Sequence, residues 1–397
     1  MEVQGFCHPK FAAVKAAFVD NFISKNEIGA AVSIYHKGTK VVDLWAGYKN
    51  LKTKDLWLEE TTVPFFSVTK GMAALCFLIL AERKKLDYNR KVSFYWPEFA
   101  MNGKENITVK QLLEHLAGLH ALDKKFYIED VWLKQTEIYE ALIYQSPAWN
   151  PGTKQAYGAQ VWGLFAAELF KKIAKESAGK FFEREVRKKL KLNLYLGLPK
   201  ELQSNVATIY PISNLHRILK LLPQIIFGIG NEGRAGRAVL KGNSEVKKAY
   251  LNPSVGLKGL NAFNDNELHK QELLWANGIG DARSLASIYN VLAMGGKVGN
   301  IKFANTSLLK ELKKENDLRY DWVVHKPIGW NLGFLKEEPG IFSPNVESFG
   351  HAGMGGSVAF ADPKAKLSFA YICNQMDYRV RAPKTLSLCS AAYKSLI

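Results

Sequence analysis

Strand-like patterning in this chain is confined to its two ends, and that placement constrains the fold more than any other feature. Ala30–His36 and Lys40–Trp45 are β-rich runs joined by Lys37-Gly38-Thr39, a short glycine-containing connection of the hairpin kind. Near the other end, Ser357–Ala361 and Leu367–Asn374 flank the turn residues Asp362-Pro363-Lys364-Ala365-Lys366. Helical periodicity dominates between them: Ser67 to about Lys85, Ile107–Leu116 with Thr108 as N-cap, Val131–Tyr144, Val161–Ala178 and Asp281–Met294. Pro9–Ser24 and a helix starting at Pro383 occupy the ends. The expected class is α+β: an antiparallel sheet built from both termini and flanked by helices, with an inserted mainly helical region. Residues 1–60 and 265–397 are assigned to the sheet region and 61–264 to the helical one.

The chain of 397 residues is 47% hydrophobic and 23% charged, the mixture of a globular protein, and its formal charge is +17. The basic residues alternate with apolar ones, as in Arg187-Lys188-Lys189 and Glu311-Leu312-Lys313-Lys314, the pattern of solvated helix faces. No stacking aromatics interleave with them, so nucleic acid is not expected as a partner. The longest apolar run, Met72–Ala81, has ten residues where a bilayer span needs about 20, and no integral membrane segment is expected. The N-terminus lacks a basic region followed by an apolar one and reads as the mature start of a soluble protein. Cys7, Cys76, Cys373 and Cys389 lie far apart, two of them in apolar stretches, which favours reduced thiols and an intracellular, cytoplasmic location.

No HExxH, CxxC or HxH spacing occurs, so no metal is expected, and His115 and His120 fall on different faces of any continuing helix. Gly228-Ile229-Gly230-Asn231-Glu232-Gly233 matches GxGxxG, but without a preceding strand it reads as a flexible loop rather than a dinucleotide site. Four Ser-x-x-Lys pairs are present: Ser67/Lys70, Ser177/Lys180, Ser244/Lys247 and Ser307/Lys310. Context separates them. Only Pro64-Phe65-Phe66-Ser67-Val68-Thr69-Lys70-Gly71 opens an apolar helix, where burial lowers the lysine pKa and makes its neutral amine available as a base. Ser67 there also presents its own N–H toward a developing oxyanion. Two further clusters stand out. The turn Trp149-Asn150-Pro151-Gly152-Thr153 delivers Tyr157, and Gly350-His351-Ala352-Gly353-Met354-Gly355-Gly356-Ser357 leads into a strand, its glycines permitting close approach of a substrate.

Together the three clusters resemble the penicillin-recognising serine hydrolases, especially the class C β-lactamase-related family VIII esterases and eukaryotic β-lactamase-domain proteins. Ser67-Val68-Thr69-Lys70 matches S-x-x-K, Tyr157 the Tyr of Y-x-N, and His351-Ala352-Gly353 the H-x-G variant of K-T-G. Ile107–Leu119 and Ala276–Ala286 resemble further segments of the family, so the likeness covers about residues 11–395 as one domain. It implies a β-lactamase/transpeptidase-like fold and a covalent acyl-enzyme on Ser67, with Lys70 and Tyr157 sharing the proton traffic. Tyr157 is expected to have a depressed pKa beside an ammonium, and His351 to hydrogen-bond toward Tyr157 or the leaving group. The backbone N–H groups of Ser67 and Met354 would form the oxyanion hole, with Gly353 and Gly355 lining the substrate. No cofactor is implied.

Two departures bear on substrate. Tyr157-Gly158-Ala159 lacks the Asn that grips a β-lactam's acylamido group, and His351 replaces a fixed cation. Both favour small or medium neutral esters, or amides, over β-lactams. The alternatives are a catalytically weak protein with an assembly role, or a true β-lactamase; homo-oligomerisation is left open. The stretch 205–268 is the least readable. Within it Leu215–Leu240 is expected to be a lid or a buried connector, with Pro223 preventing a long helix and glycines 228, 230, 233 and 236 acting as hinges.

Overall fold

The computed structural model describes residues 2–242, 244–315, 318–336 and 340–397, with the side chains of 214–218, 231 and 244 outside the description. Its main sheet has nine strands: β1 (Gln4–Cys7), β2 (Gly29–His36), β3 (Thr39–Asn50), β4 (Asp55–Leu56), β5 (Trp330–Asn331), β6 (Phe334–Lys336), β7 (Phe349–Ala352), β8 (Val358–Asp362) and β9 (Leu367–Cys373). The order is β1-β3-β2-β9-β8-β7-β6-β5, with β4 paired to β3. Every pairing is antiparallel, and the seam between the two ends of the chain is β2 on β9, running from Leu367 opposite His36 to Cys373 opposite Ala30. The expected two-ended antiparallel sheet is therefore present.

Alternation along the strands sends residues to opposite faces. On one face Val32, Ile34, Val42, Leu44, Phe369 and Tyr371 pack against α1 (Ala12–Ser24) and the C-terminal helix, Pro383–Lys394. The other face is rich in small residues, with Ala31, Ala359, Ala361 and Ala370. Small side chains let the helix Ala282–Ala293 lie close, and Ser368 Oγ donates to the Ala286 carbonyl at 2.8 Å.

Beyond that helix lies the helical region, centred on α2 (Thr69–Glu82). From Thr69 through Leu80 every residue of α2 is buried, which explains why the sequence there is apolar all round rather than striped. Other helices are shorter than their periodicity predicts. Thr108 caps α3 (Val109–Leu113) through a reciprocal box with Gln111, yet the helix ends there because His115 adopts a left-handed conformation at φ 60°. The Val131–Tyr144 segment breaks at Lys134 into Asp130–Leu133 and Gln135–Tyr144, and the next helix, α4 (Val161–Ala174), stops at left-handed Lys175.

The largest difference from expectation is at 214–240. Pro223 does not interrupt a helix: it lies inside α5 (Asn214–Phe227), on an exposed face where water can satisfy the carbonyl whose partner it removes. The GxGxxG stretch is not a loop either, since all but its first two residues belong to α6 (Gly230–Leu240) and α5 precedes it. Gly233 and Gly236 are not hinges. A Cβ at either would meet Gln224 O at 2.4 Å or the Ile225 side chain at 2.7 Å, so they let α5 and α6 pack as a hairpin.

One buried ion pair fastens the C-terminal helix to the start of β2. Lys384 Nζ lies 2.9 Å from Glu27 Oε2, with the side chains 4% and 0% exposed, and Glu27 also accepts from Tyr371 Oη. Despite its burial, the Lys384 ammonium is held above the usual lysine range by the neighbouring Glu27 carboxylate. Removing one partner strands a charge. Glu27→Ala should therefore lower unfolding free energy by about 3–5 kcal/mol, whereas Glu27→Leu with Lys384→Met should cost far less; urea unfolding of the two variants checks this.

Candidate active site

The segment Phe66–Val68 is a 3-10 turn entering α2, and Phe66 ahead of the serine has a left-handed φ of 50°. That backbone costs energy in a bulky residue. Here it turns Ser67 outward: from Thr61 to Leu80 every residue but Ser67 is buried. Thr69 Oγ1 locks the turn, donating to the Phe66 carbonyl at 2.5 Å and accepting from Gly278 N–H at 2.8 Å.

One helical turn on, Lys70 is fully buried. Its Nζ donates to the carbonyls of Ala159 at 2.8 Å and Trp275 at 3.2 Å, and lies 3.4 Å from Ser67 Oγ. Burial without a carboxylate partner drives its pKa well below the usual lysine range. A neutral amine has two N–H donors and one lone pair. The two carbonyls take the donors, leaving the lone pair for the Ser67 hydroxyl.

Tyr157 Oη donates to Ser67 Oγ at 2.9 Å. Its backbone is gripped on three successive residues: Ala156 N–H on the His115 carbonyl at 3.1 Å, Tyr157 N–H on Asp321 Oδ1 at 3.2 Å, and Gly158 N–H on His115 Nδ1 at 3.1 Å. Trp330 stacks on the Tyr157 ring, with centroids 5.9 Å apart and planes 11° from parallel. The expected depressed pKa is not found. Desolvation raises the phenol instead, with Tyr250 adding to it.

His351 also departs from expectation. Its ring centroid is 6.3 Å from that of Tyr157, and its Nδ1–H donates to the adjacent Ala352 carbonyl at 2.7 Å rather than toward Tyr157. Among the described residues its buried Nε2 has no partner, and burial, then Lys70, push its pKa down to about 3. Gly353 is occupied by protein: a Cβ there would lie 2.4 Å from the Phe65 carbonyl, so the absent side chain lets the end of β7 press against the Ser67 turn. Gly355 is buried against Met376, while Met354 between them is half-buried.

The other Ser-x-x-Lys pairs are different. Ser177 caps a helix and donates to Glu272 Oε1 at 2.8 Å, Ser307 and Lys310 are exposed on a surface helix, and the side chain of Ser244 lies outside the described residues. Among the described residues no group of three His, Cys, Asp or Glu side chains could hold a metal ion, and no helix is long and apolar enough to cross a membrane. Asp321 and the roles of His115 and Trp330 were not read from the sequence. Asp321 lies 164 positions from the residue it holds, and no local pattern joins them.

The family profile described as Beta-lactamase matches residues 14–388. Esterase/beta-lactamase LipL of Mycobacterium tuberculosis (strain ATCC 25618 / H37Rv) is 29% identical over 384 residues, covering 94% of this chain and 83% of that protein. Among solved structures, a family VIII carboxylesterase superposes with TM-score 0.88 at 32% identity, covering 100% of both chains. A penicillin-binding protein homologue from Caulobacter crescentus gives 0.86 at 29%, again covering 100% of both.

Burial lowers the Lys70 pKa, and its amine lies 3.4 Å from Ser67 Oγ. An amine with a lowered pKa is free above that pKa and protonated below it, so labelling of Ser67 by a fluorophosphonate should slow as pH falls through the Lys70 pKa. His351, neutral down to about pH 3, should add no inflection between about pH 5 and 8. Intact-mass labelling rates across pH for wild type and His351→Asn should share one midpoint.

Proposed function

The chain belongs to the beta-lactamase family, and from that premise we propose that this serine hydrolase cleaves small or medium carboxylic esters through an acyl-enzyme on Ser67. The observation that carries the reading is the convergence on one oxygen: Tyr157 Oη at 2.9 Å and the fully buried Lys70 amine, its pKa lowered by burial, at 3.4 Å.

In this reading Ser67 Oγ attacks the ester carbonyl carbon while its proton passes to the Lys70 lone pair. The oxyanion forms against the N–H groups of Ser67 and Met354, and the close seating of Gly353 on the Phe65 carbonyl supports that pairing. Collapse breaks the bond to the alkoxide, which takes a proton from Tyr157. Lys70 then returns its extra proton to Tyr157. A phenol whose pKa is raised by burial suits this donor role better than a phenolate base. Water then repeats the sequence on the acyl-Ser67 ester, releasing the acid and restoring the resting state. Amine leaving groups fit the same scheme.

Ala159 supports esters over β-lactams. Its side chain offers no amide, and its carbonyl already accepts from Lys70. The relatives' names include ester hydrolysis in both cases, an esterase/beta-lactamase and a carboxylesterase.

Ser67→Ala and Lys70→Met should each abolish turnover of a short-chain aryl ester, and Ser67→Ala should abolish the fluorophosphonate mass shift, while alanine at Ser177, Ser244 or Ser307 leaves both intact. A rate unchanged in Ser67→Ala would eliminate the mechanism. A chromogenic cephalosporin should be turned over less well than the ester by roughly 5- to 150-fold, the effect of one unmet polar contact of about 1–3 kcal/mol. Efficient cephalosporin hydrolysis in a steady-state assay would refute the assignment of Ala159.

A further inference from the structure

The hairpin of α5 and α6 carries a feature the chemistry at Ser67 does not use. Its inner face is packed, with Leu221, Gln224 and Ile225 half-buried and Gln224 and Ile225 against Gly233 and Gly236. Its outer face is apolar and open. Leu219, Leu222, Ile226 and Phe227 are 63%, 46%, 57% and 70% exposed, and Ile229 at the hairpin tip is 61% exposed. At 100° per residue these four α5 side chains fall within one stripe. The stripe is too continuous to be scattered surface apolarity.

Charge indicates what covers it. From 219 to 242 the chain has Lys220, Arg234, Arg237 and Lys241 against the single carboxylate Glu232. Lys220, Arg237 and Lys241 are exposed. A second copy laid face to face would bring like charges together. An anionic surface with an apolar interior would satisfy both the cations and the stripe.

Position links the hairpin to the site. Arg234 Nε–H donates to the His325 carbonyl at 3.0 Å, in the turn that begins with the Tyr157 anchor Asp321. Gln224 Nε2 lies 3.5 Å from Tyr378 Oη, next to Asp377, whose N–H donates to the Gly355 carbonyl at 3.0 Å. The hairpin thus rests on both segments that back the catalytic groups.

We propose that the α5–α6 hairpin docks this protein on an anionic lipid surface, so that acyl esters dissolved in that surface are the class of substrate presented to Ser67. The substrate half rests on the esterase reading above; the docking half stands on the exposed stripe and its charges. Flotation of the full chain with phosphatidylcholine vesicles, with and without phosphatidylglycerol, tests it. Wild type should float with the anionic vesicles at least about tenfold better than with the neutral ones. Leu222→Glu with Ile226→Glu should lose that binding while hydrolysing soluble p-nitrophenyl acetate at the wild-type rate. Lys220→Ala and Arg237→Ala, which leave the stripe intact should the glutamate variant fail to fold, should each weaken flotation about fivefold. Flotation without ester turnover sustains the docking and removes the esterase reading. Ester turnover with no flotation, or flotation unchanged in the variants, overturns the docking alone. A dimer in light scattering that Leu222→Glu dissociates, without vesicle binding, also overturns it and makes the face an interface between copies.

Discussion

The Lys70 amine, fully buried and held by two backbone carbonyls, is the interaction on which the site depends. Those carbonyls belong to Ala159 and Trp275, so one nitrogen draws together α2, the segment entering α4 and the approach to strand Gly278–Gly280. A lysine so placed without a carboxylate is costly as an ammonium and tolerable as an amine. The same packing that satisfies its two donors leaves the lone pair toward Ser67. Structure and reactivity here have one cause.

A second constraint keeps the partners in register with that amine. Tyr157 sits on a segment without regular secondary structure, and such a segment holds position only where its backbone polar groups are satisfied by something rigid. His115 and Asp321 supply that, and Trp330 stacks on the ring. Burial then determines protonation throughout: Lys70, His115 and His351 are all held toward neutral forms, and Tyr157 remains a phenol. Groups held toward neutral forms fit the proposed reaction of a neutral ester better than recognition of a charged substrate. The +17 charge acts elsewhere on the surface, where the α5–α6 hairpin combines cations with exposed apolar side chains.

Much of this was legible in the sequence because it depends on neighbours along the chain. Strand-like patterning identified β2, β8 and β9 almost to their ends and the first half of β3, and Thr108 marked the start of α3 through a capping box with Gln111. The all-apolar helix after Ser67 distinguished Lys70 from three other lysines at the same spacing, because burial of α2 follows from its composition. Those features rest on local periodicity and hydrogen bonds within a turn or two.

What only the tertiary structure decided involves groups distant in sequence. Pro223 and the glycines after it read as breakers, yet they form two helices, since Gly233 and Gly236 make room for α5 and Pro223 faces water. Asp321 and His115 gained their roles by meeting the backbone around Tyr157. The directions of the Tyr157 and His351 pKa shifts were set by how much water folding removed from them, and His351 turned to the Ala352 carbonyl for its hydrogen bond. The sequence by itself determined the four longest strands of the sheet, the helices with clear periodicity and which serine precedes the buried helix. Desolvation, and the pairing of polar groups across more than a hundred residues, are properties of the packed chain, so protonation states and anchoring partners could be known only from it.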